Sequence, residues 1–140
     1  MNEHQVTPDV LQAMVRKACE KLASGRKDLE AGFYDDAASR AYYAAFHAVS
    51  AVLAVHGRAF SSHAQTLGAF NRELVKTGAF PPNTFRKLQR LFEDRQVADY
   101  SWNLSVDKDT AAQDLDDAEF LVNACREYIE KRLGMSFNES

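Results

Sequence analysis

Four polar side chains lie along the alanine-rich stretch DDAASRAYYAAFHAVSAVLAVHG, residues 35–57, and they are the first candidates for chemistry. Arg40, Tyr43, His47 and Ser50 follow one another at steps of three, four and three residues, so on a helix they form one narrow polar face. A guanidinium can bind a phosphate or a carboxylate, and an imidazole can transfer protons near neutral pH. The pattern indicates either a polar site or a buried hydrogen-bond network on an otherwise apolar helix.

Polar residues also interrupt a second helical pattern, EDRQVADY, residues 93–100. Arg95 and Asp99 are four residues apart and could pair along one helix. If the two helices pack side by side, their polar side chains share one groove, which we expect to be lined by Arg40, Tyr43, His47, Arg95, Asp99 and Tyr100. Because an unpaired buried guanidinium is costly, we expect Asp99 to hold Arg40, with His47 close to Arg95. The alternative is that this network only fixes the register of the fold.

Apolar residues at three- and four-residue spacing predict the elements that position these groups. Thr7 and Pro8 have the types expected at a helix start, and Gly32 and Gly57 those expected after a helix end. Ser62 and the glutamine three residues later have the spacing of a capping box. The predicted helices cover about residues 7–30, 35–56, 62–76, 84–102 and 110–133.

Length and composition favour a single all-α domain, an up-and-down bundle of four to five helices. The 140 residues are 46% hydrophobic and include three prolines and six glycines. We assign residues 1–140 to one domain with a core of about 8–133 and a frayed tail, GMSFNES, over 134–140. A net charge of -3 excludes binding of nucleic acid by a general positive field, so any RNA contact must be local.

The remaining sequence features predict a cytoplasmic protein without a membrane span, metal or cofactor. Cys19 and Cys125 lack metal-ligand spacing and are expected to be reduced core thiols. No secretory signal is visible, and the long apolar stretch carries Arg40 and His47, which makes it a poor membrane span. We expect Trp102 and Phe92 to anchor the core or an interface rather than to stack on bases.

Several motifs in order resemble the small stand-alone HEPN-domain proteins, the higher eukaryote and prokaryote nucleotide-binding family. They are AASRAYYAAFHAVSAVLAVHG, SSHAQTLGAF, LVKTGAF and LQRLFEDRQVADY, and the resemblance covers about residues 8–133. It implies an up-and-down bundle of four main helices with a shorter extra one, usually a homodimer. It also implies a minimal nucleotidyltransferase as partner in a toxin and antitoxin pair. Active members are metal-independent endoribonucleases.

Nucleases of that family use an arginine followed after four to six residues by a histidine, contributed by two protomers. As text, this pattern matches Arg40 with His47, and also Arg58 with His63. By place in the bundle, the motif falls on RQVADY, which puts Arg95 in the arginine position and Tyr100 in the histidine position. A tyrosine with a pKa of about 10 is a poor base at neutral pH, so His47 or His63 would have to supply the imidazole.

Two functions follow from this resemblance. In the first, a cleft lined by Arg40, Tyr43, Arg95, Asp99 and Tyr100 binds RNA, a nucleotide or a nucleotidyltransferase without turnover. In the alternative, the protein is a ribonuclease toxin in which Arg95 stabilises the phosphorane and His47 or His63 transfers protons.

Overall fold

The computed structural model describes residues 6–137, and in this range the chain is an all-α bundle, which confirms the predicted fold class. Five α-helices follow one another in this range: α1 Pro8–Ala31, α2 Tyr34–Val55, α3 His63–Phe70, α4 Pro82–Tyr100 and α5 Lys108–Leu133. The helical path of α3 continues through a wider π-helical turn, Asn71–Val75, so the predicted end near residue 76 is close to the observed one.

Local sequence explains where the helices begin and end. The backbone N–H of Val10 donates to Oγ1 of Thr7, and the N–H of Gln65 donates to Oγ of Ser62 at 3.1 Å, so both predicted caps are present. Between α1 and α2, Gly32 adopts a φ of 86°, a left-handed conformation that closes α1 within a short turn. The turn makes α1 and α2 an antiparallel hairpin, as the sequence predicts.

α2 is the central helix, with α1, α4 and α5 packed around it. Its buried residues are mostly alanine, which lets neighbouring backbones come close. α1 approaches α2 closely at Gly25, where an added Cβ would lie 3.1 Å from Cβ of Arg40. The polar face of α2 is therefore held at a short distance from α1, which decides where Arg40 and His47 lie.

The segment after α5 differs from the expected frayed tail. Phe137 is only 6% exposed, and its backbone N–H donates to Oε2 of Glu130 at 2.8 Å. Gly134 closes α5 with a left-handed φ of 66°, and the chain then folds back onto the bundle. Phe137 is thus buried and Met135 half-buried against the bundle, while Gly134 and Ser136 stay exposed. Residues 138–140 of the predicted tail lie outside the described residues.

No helix within residues 6–137 combines the length and the apolar character needed to cross a membrane.

Candidate functional site

Arg95 on α4 lies beneath a group of tyrosines, and we call this arrangement the Arg95 cluster: Arg95, Tyr42, Tyr43, Asp99 and Tyr100. Its guanidinium carbon lies 5.2, 5.1 and 5.6 Å from the ring centres of Tyr42, Tyr43 and Tyr100. Arg95 is only 9% exposed, so these cation–π contacts act where little water competes. The central packing of α2 against α4 brings these side chains together, as the sequence analysis expected for Tyr43 and Arg95.

Polar contacts complete the neutralisation of Arg95. Its Nε lies 3.0 Å from Oδ2 of Asp99, which confirms the predicted pairing of these two residues along α4. A second guanidinium nitrogen donates to the hydroxyl of Tyr43. Burial alone would lower the pKa of Arg95, but the Tyr43 hydrogen bond and the nearby Tyr43, Tyr100 and Asp99 raise it above its ordinary value. Arg95 therefore stays charged, and that charge is balanced inside the cluster.

The expected ion pair between Arg40 and Asp99 is wrong. Nε of Arg40 instead lies 3.7 Å from Oδ2 of Asp28 on α1. Each helical residue turns by about 100°, so steps of three and four residues place Arg40 and His47 about 20° apart, with Tyr43 about 60° from Arg40. Tyr43 consequently reaches α4, while Arg40 and His47 face α1.

A groove of about 460 Å³ opens beside the Arg95 cluster, where α1, α2 and the start of α3 meet. We call it the basic groove. Lys17 and Lys21 of α1 line one side, Arg40, Tyr43, Phe46 and His47 of α2 form the floor, and His63 of α3 closes one end. Asp36 and Ser39 complete the lining, so three cationic side chains face one carboxylate. The groove is locally positive on a chain whose net charge is -3.

Both histidines of the groove are held in the neutral form at neutral pH. Burial is the main cause that lowers the pKa of His47, with further contributions from Lys17, Lys21 and His63. Burial and the charge of Arg95 lower the pKa of His63. A neutral imidazole can accept a proton through one nitrogen and donate a hydrogen bond through the other.

The ring of His63 is held by aromatic neighbours. It stacks on Phe46 with ring centres 4.1 Å apart and an interplanar angle of 23°. Its Nδ1 lies 2.8 Å from the hydroxyl of Tyr42, whose ring also contacts Arg95. His63 thereby links the basic groove to the Arg95 cluster, and His47 lies in the same groove.

Tyr100 and Arg58, the other two residues considered for the arginine and histidine pattern, do not line the basic groove. Tyr100 is 66% exposed at the end of α4, with its ring against Arg95. Arg58 pairs with Glu73 at 3.0 Å and lies over the ring of Phe60, lining a second, apolar cavity that shares Phe46 with the basic groove. The Arg58 and His63 match is thus split between two cavities, whereas Arg40 and His47 share the groove.

Trp102 does not anchor the core, because its side chain is fully exposed in the loop after α4. Leu104 in the same loop is 61% exposed, and Tyr100 precedes it. Phe92, by contrast, is half-buried and contacts the Tyr42 ring edge-on at 5.7 Å, as expected of a core residue. An interface role for Trp102 stays a prediction.

Lys17, Lys21, Phe46 and Tyr42 are site residues that the sequence analysis missed. A signal for the lysines exists in the antiparallel hairpin, since Lys17 and His47 are 15 residues from Gly32 on either side, and Lys21 and Tyr43 are 11 residues from it. Lys17 and Lys21 are also four residues apart, so they lie on one face of α1. Hairpin symmetry would therefore have placed both lysines opposite the polar face of α2.

Metal ligation has no support within residues 6–137, where no group of three or more histidine, cysteine, aspartate or glutamate side chains could hold an ion. Cys19 and Cys125 are both free thiols.

Similarity to known proteins extends over nearly the whole chain. The family described as HEPN domain matches residues 11–130. A UPF0332 protein from Thermotoga maritima is 33% identical over 130 residues, which are 93% of this chain and 96% of that protein. A UPF0332 protein from Archaeoglobus fulgidus is 33% identical over 123 residues, 88% of this chain and 98% of its own. A Methanocaldococcus jannaschii protein named "Putative toxin MJ0142" is 28% identical over 119 residues, 85% of this chain and 81% of its own. The range matched by the family includes the basic groove and the Arg95 cluster.

Proposed function

Because the chain belongs to the HEPN domain family, we propose that it is a toxin-type HEPN protein that binds RNA through the basic groove. One observation carries this proposal: Lys17, Lys21 and Arg40 converge on a groove that also has an aromatic wall, Phe46 stacked with His63. Cationic side chains bind the phosphate backbone, and aromatic rings accept stacked bases from single strands. The toxin assignment is supported by the Methanocaldococcus jannaschii relative, which carries the name "Putative toxin MJ0142".

Charge distribution favours the basic groove over the Arg95 cluster as the surface that meets phosphate. Arg95 is already paired with Asp99 and covered by tyrosine rings. Arg40, by contrast, has a 43% exposed side chain and only a 3.7 Å ion pair with Asp28. Replacing such a weak contact with a phosphate costs little. We therefore assign phosphate binding to Arg40 and the two lysines, and assign to Arg95 the support of Tyr42 and Tyr43, which border the groove.

RNA affinity of groove variants tests the proposal. Anisotropy of a short fluorescein-labelled single-stranded RNA should show a loss of affinity of about tenfold or more in Lys17→Gln/Lys21→Gln, with a shallower salt dependence, because two phosphate contacts are removed. Lys27→Gln/Lys131→Gln removes the same charge from exposed positions outside the groove and is the matched control. Equal affinity of the two double variants would overturn the assignment of the groove.

Metal-independent RNA cleavage is the second candidate function, favoured by two neutral imidazoles and a guanidinium on one groove. One imidazole, in its neutral form, would accept the proton of a ribose 2′-hydroxyl as its oxygen attacks the adjacent phosphorus. The other would first have to be protonated to imidazolium, which could then donate a proton to the departing 5′-oxygen. The products are a 2′,3′-cyclic phosphate and a 5′-hydroxyl end. Arg40 lines the groove, so it is better placed than Arg95 to stabilise the phosphorane charge.

Cleavage of end-labelled RNA in the presence of EDTA tests this candidate. His47→Ala/His63→Ala should abolish cleavage, while His56→Ala, at the end of α2 and outside the groove, should retain it. Wild-type protein that binds RNA but leaves it intact would reject the nuclease and keep the binding function.

Partners and location complete the proposal. The family resemblance implies a homodimer, and the exposed Tyr100, Trp102 and Leu104 supply apolar surface beside the Arg95 cluster. Light scattering should show a dimer in the wild type and a weaker dimer in Trp102→Asp. A monomeric wild type at micromolar concentration would count against the dimer.

We also propose a minimal nucleotidyltransferase as the antitoxin partner, which co-purification tests. We further propose a cytoplasmic location, where free thiols stay reduced.

A further inference from the structure

We infer that Tyr42 is a positioning residue for His63: its buried hydroxyl donates a hydrogen bond to Nδ1 and holds the imidazole with its proton on Nε2. This inference rests on the proposed RNA site, because it specifies how one groove residue is prepared to meet a phosphate. Tyr42 does not line the groove itself, but it contacts lining residues, and its hydroxyl is hydrogen-bonded to His63, so we assign its effect on a ligand to His63.

The direction of this hydrogen bond follows from burial. Tyr42 is 0% exposed, and its hydroxyl oxygen lies 2.8 Å from Nδ1 of His63. A buried hydroxyl hydrogen without an acceptor is more costly than an unused lone pair on the same oxygen. Two other polar side chains lie against the Tyr42 ring: Arg95 has only donor nitrogens, and the Tyr43 hydroxyl is already hydrogen-bonded to Arg95. Nδ1 of His63 is therefore the acceptor.

The phenol keeps its proton in this position, and the ring of His63 has little freedom to turn away. Burial, only partly opposed by the charge of Arg95, raises the pKa of Tyr42 well above its ordinary value. On its other side the His63 ring stacks on Phe46 at 4.1 Å. The hydrogen bond fixes the rotation of a ring whose plane is already set by stacking.

The role of His63 in the groove depends on which of its two nitrogens remains available to a ligand. With Nδ1 engaged by Tyr42, Nε2 carries the proton and is the nitrogen that can donate to a phosphate oxygen in the groove. Protonating His63 would place a hydrogen on Nδ1 as well as on Nε2 and force the Tyr42 hydroxyl to give up its acceptor. Tyr42 thus favours a neutral donor at this end of the groove, next to the cations Lys17, Lys21 and Arg40.

Imidazole nitrogen NMR of the free protein tests the inference directly. In the wild type, the Nδ1 resonance of His63 should fall in the range of an unprotonated, hydrogen-bonded nitrogen, and Nε2 in the range of a protonated one. In Tyr42→Phe, Nδ1 should move toward the value of a free unprotonated nitrogen. Tyr128→Phe is the matched control, because the Tyr128 hydroxyl lies 2.7 Å from Nε2 of His56, and it should alter His56 only.

A double-mutant cycle on RNA affinity separates positioning from general stability. Tyr42→Phe should weaken RNA binding by about two- to fivefold in the wild-type background and have no further effect in His63→Ala. Equal losses in both backgrounds would mean that Tyr42 does not act through His63, and so would a protonated Nδ1 in wild-type His63. The wild-type spectrum decides the tautomer even if Tyr42→Phe fails to fold. Absence of RNA binding by the wild type would reject the proposed function, while the spectrum would still decide the hydrogen bond.

Discussion

A buried carboxyl pair between α4 and α5 makes the stability of the bundle depend on pH. Asp114 on α5 is fully buried, and once protonated its carboxyl can donate a hydrogen bond to that of Asp94 on α4. Burial, then this hydrogen bond and the charge of Asp94, raise the pKa of Asp114 to about 8. Arg90 opposes the rise, but its Nε lies 3.7 Å from Oδ1 of Asp114, and another of its guanidinium nitrogens pairs with Asp117. At neutral pH the protonated Asp114 therefore donates to Asp94.

The sign and size of the effect follow from the two states of Asp114. In the unfolded chain an aspartate loses its proton near pH 3.9. Between about pH 4 and about pH 8 the folded chain holds a proton that the unfolded chain has lost, so the free energy of unfolding falls as pH rises, by up to about 1.4 kcal/mol per pH unit. As the pH rises from about 5.5 to about 7.5, Asp114 therefore lowers the free energy of unfolding by about 2 to 3 kcal/mol.

Asp114→Asn removes that dependence while keeping the shape of the side chain. Its amide can donate to Asp94 as the protonated carboxyl does, but it never ionises. The difference in the free energy of unfolding between the variant and the wild type should therefore shift in favour of the variant by about 2 to 3 kcal/mol as the pH rises from about 5.5 to about 7.5. Urea denaturation followed by circular dichroism measures this difference, and the titration of other groups cancels because both proteins contain them.

Asp116→Asn on the same helix is the matched control. Asp116 is exposed and pairs with Arg26 at 3.1 Å, so its replacement should leave the pH dependence nearly unchanged. Parallel pH curves for the wild type and Asp114→Asn, or an equal loss of stability at every pH, would refute the reasoning. Either result would mean that Asp114 is ionised in the folded chain and paired with Arg90.

Three further predictions concern the helix contacts and the groove. Gly25→Ala should destabilise the protein by about 1 to 2 kcal/mol in urea denaturation, because the new Cβ would lie 2.7 Å from Cδ2 of the buried Leu115. Arg95→Lys should lower the thermal stability by about 1 to 2 kcal/mol, since an ammonium cannot replace the planar guanidinium between three tyrosine rings. RNA affinity should rise as pH falls below about 6.5, because protonation of His47 and His63, whose pKa values are lowered, adds positive charge only under acidic conditions.

Each of these predictions has a control. Gly68→Ala in α3 meets no atom within 4 Å and should be neutral or slightly stabilising. Arg72→Lys, at a 65% exposed side chain, should leave thermal stability unchanged. For the pH dependence, His47→Gln/His63→Gln should show a flat affinity profile. Wild-type stability of Gly25→Ala would contradict the steric clash with Leu115. Wild-type stability of Arg95→Lys would contradict the role of the guanidinium between the tyrosine rings. An unchanged pH dependence of RNA affinity in the double histidine variant would contradict the role of His47 and His63.

The helices and the single bundle were within reach of the sequence, because the signals that set them are local. Thr7 and Ser62 accept hydrogen bonds from residues only three positions away, and the glycine at position 32 closes α1 through its own conformation. Apolar spacing identified α2 as the most buried helix. The spacing of the polar residues placed Tyr43 in one groove with Arg95, and the four-residue separation of Arg95 and Asp99 predicted their pairing along α4.

The partners of Arg40 and the composition of the groove were decided by the tertiary structure. Spacing along α2 shows which residues share a face, but not how that face is rotated relative to the neighbouring helices. In the folded bundle this face is turned toward α1, so Arg40 meets Asp28 rather than Asp99, and Lys17 and Lys21 line the same groove as His47. The Tyr42 and His63 hydrogen bond joins positions 21 residues apart on different helices. Such contacts depend on helix rotation and packing distance, which arise only when all the helices bury their apolar faces together.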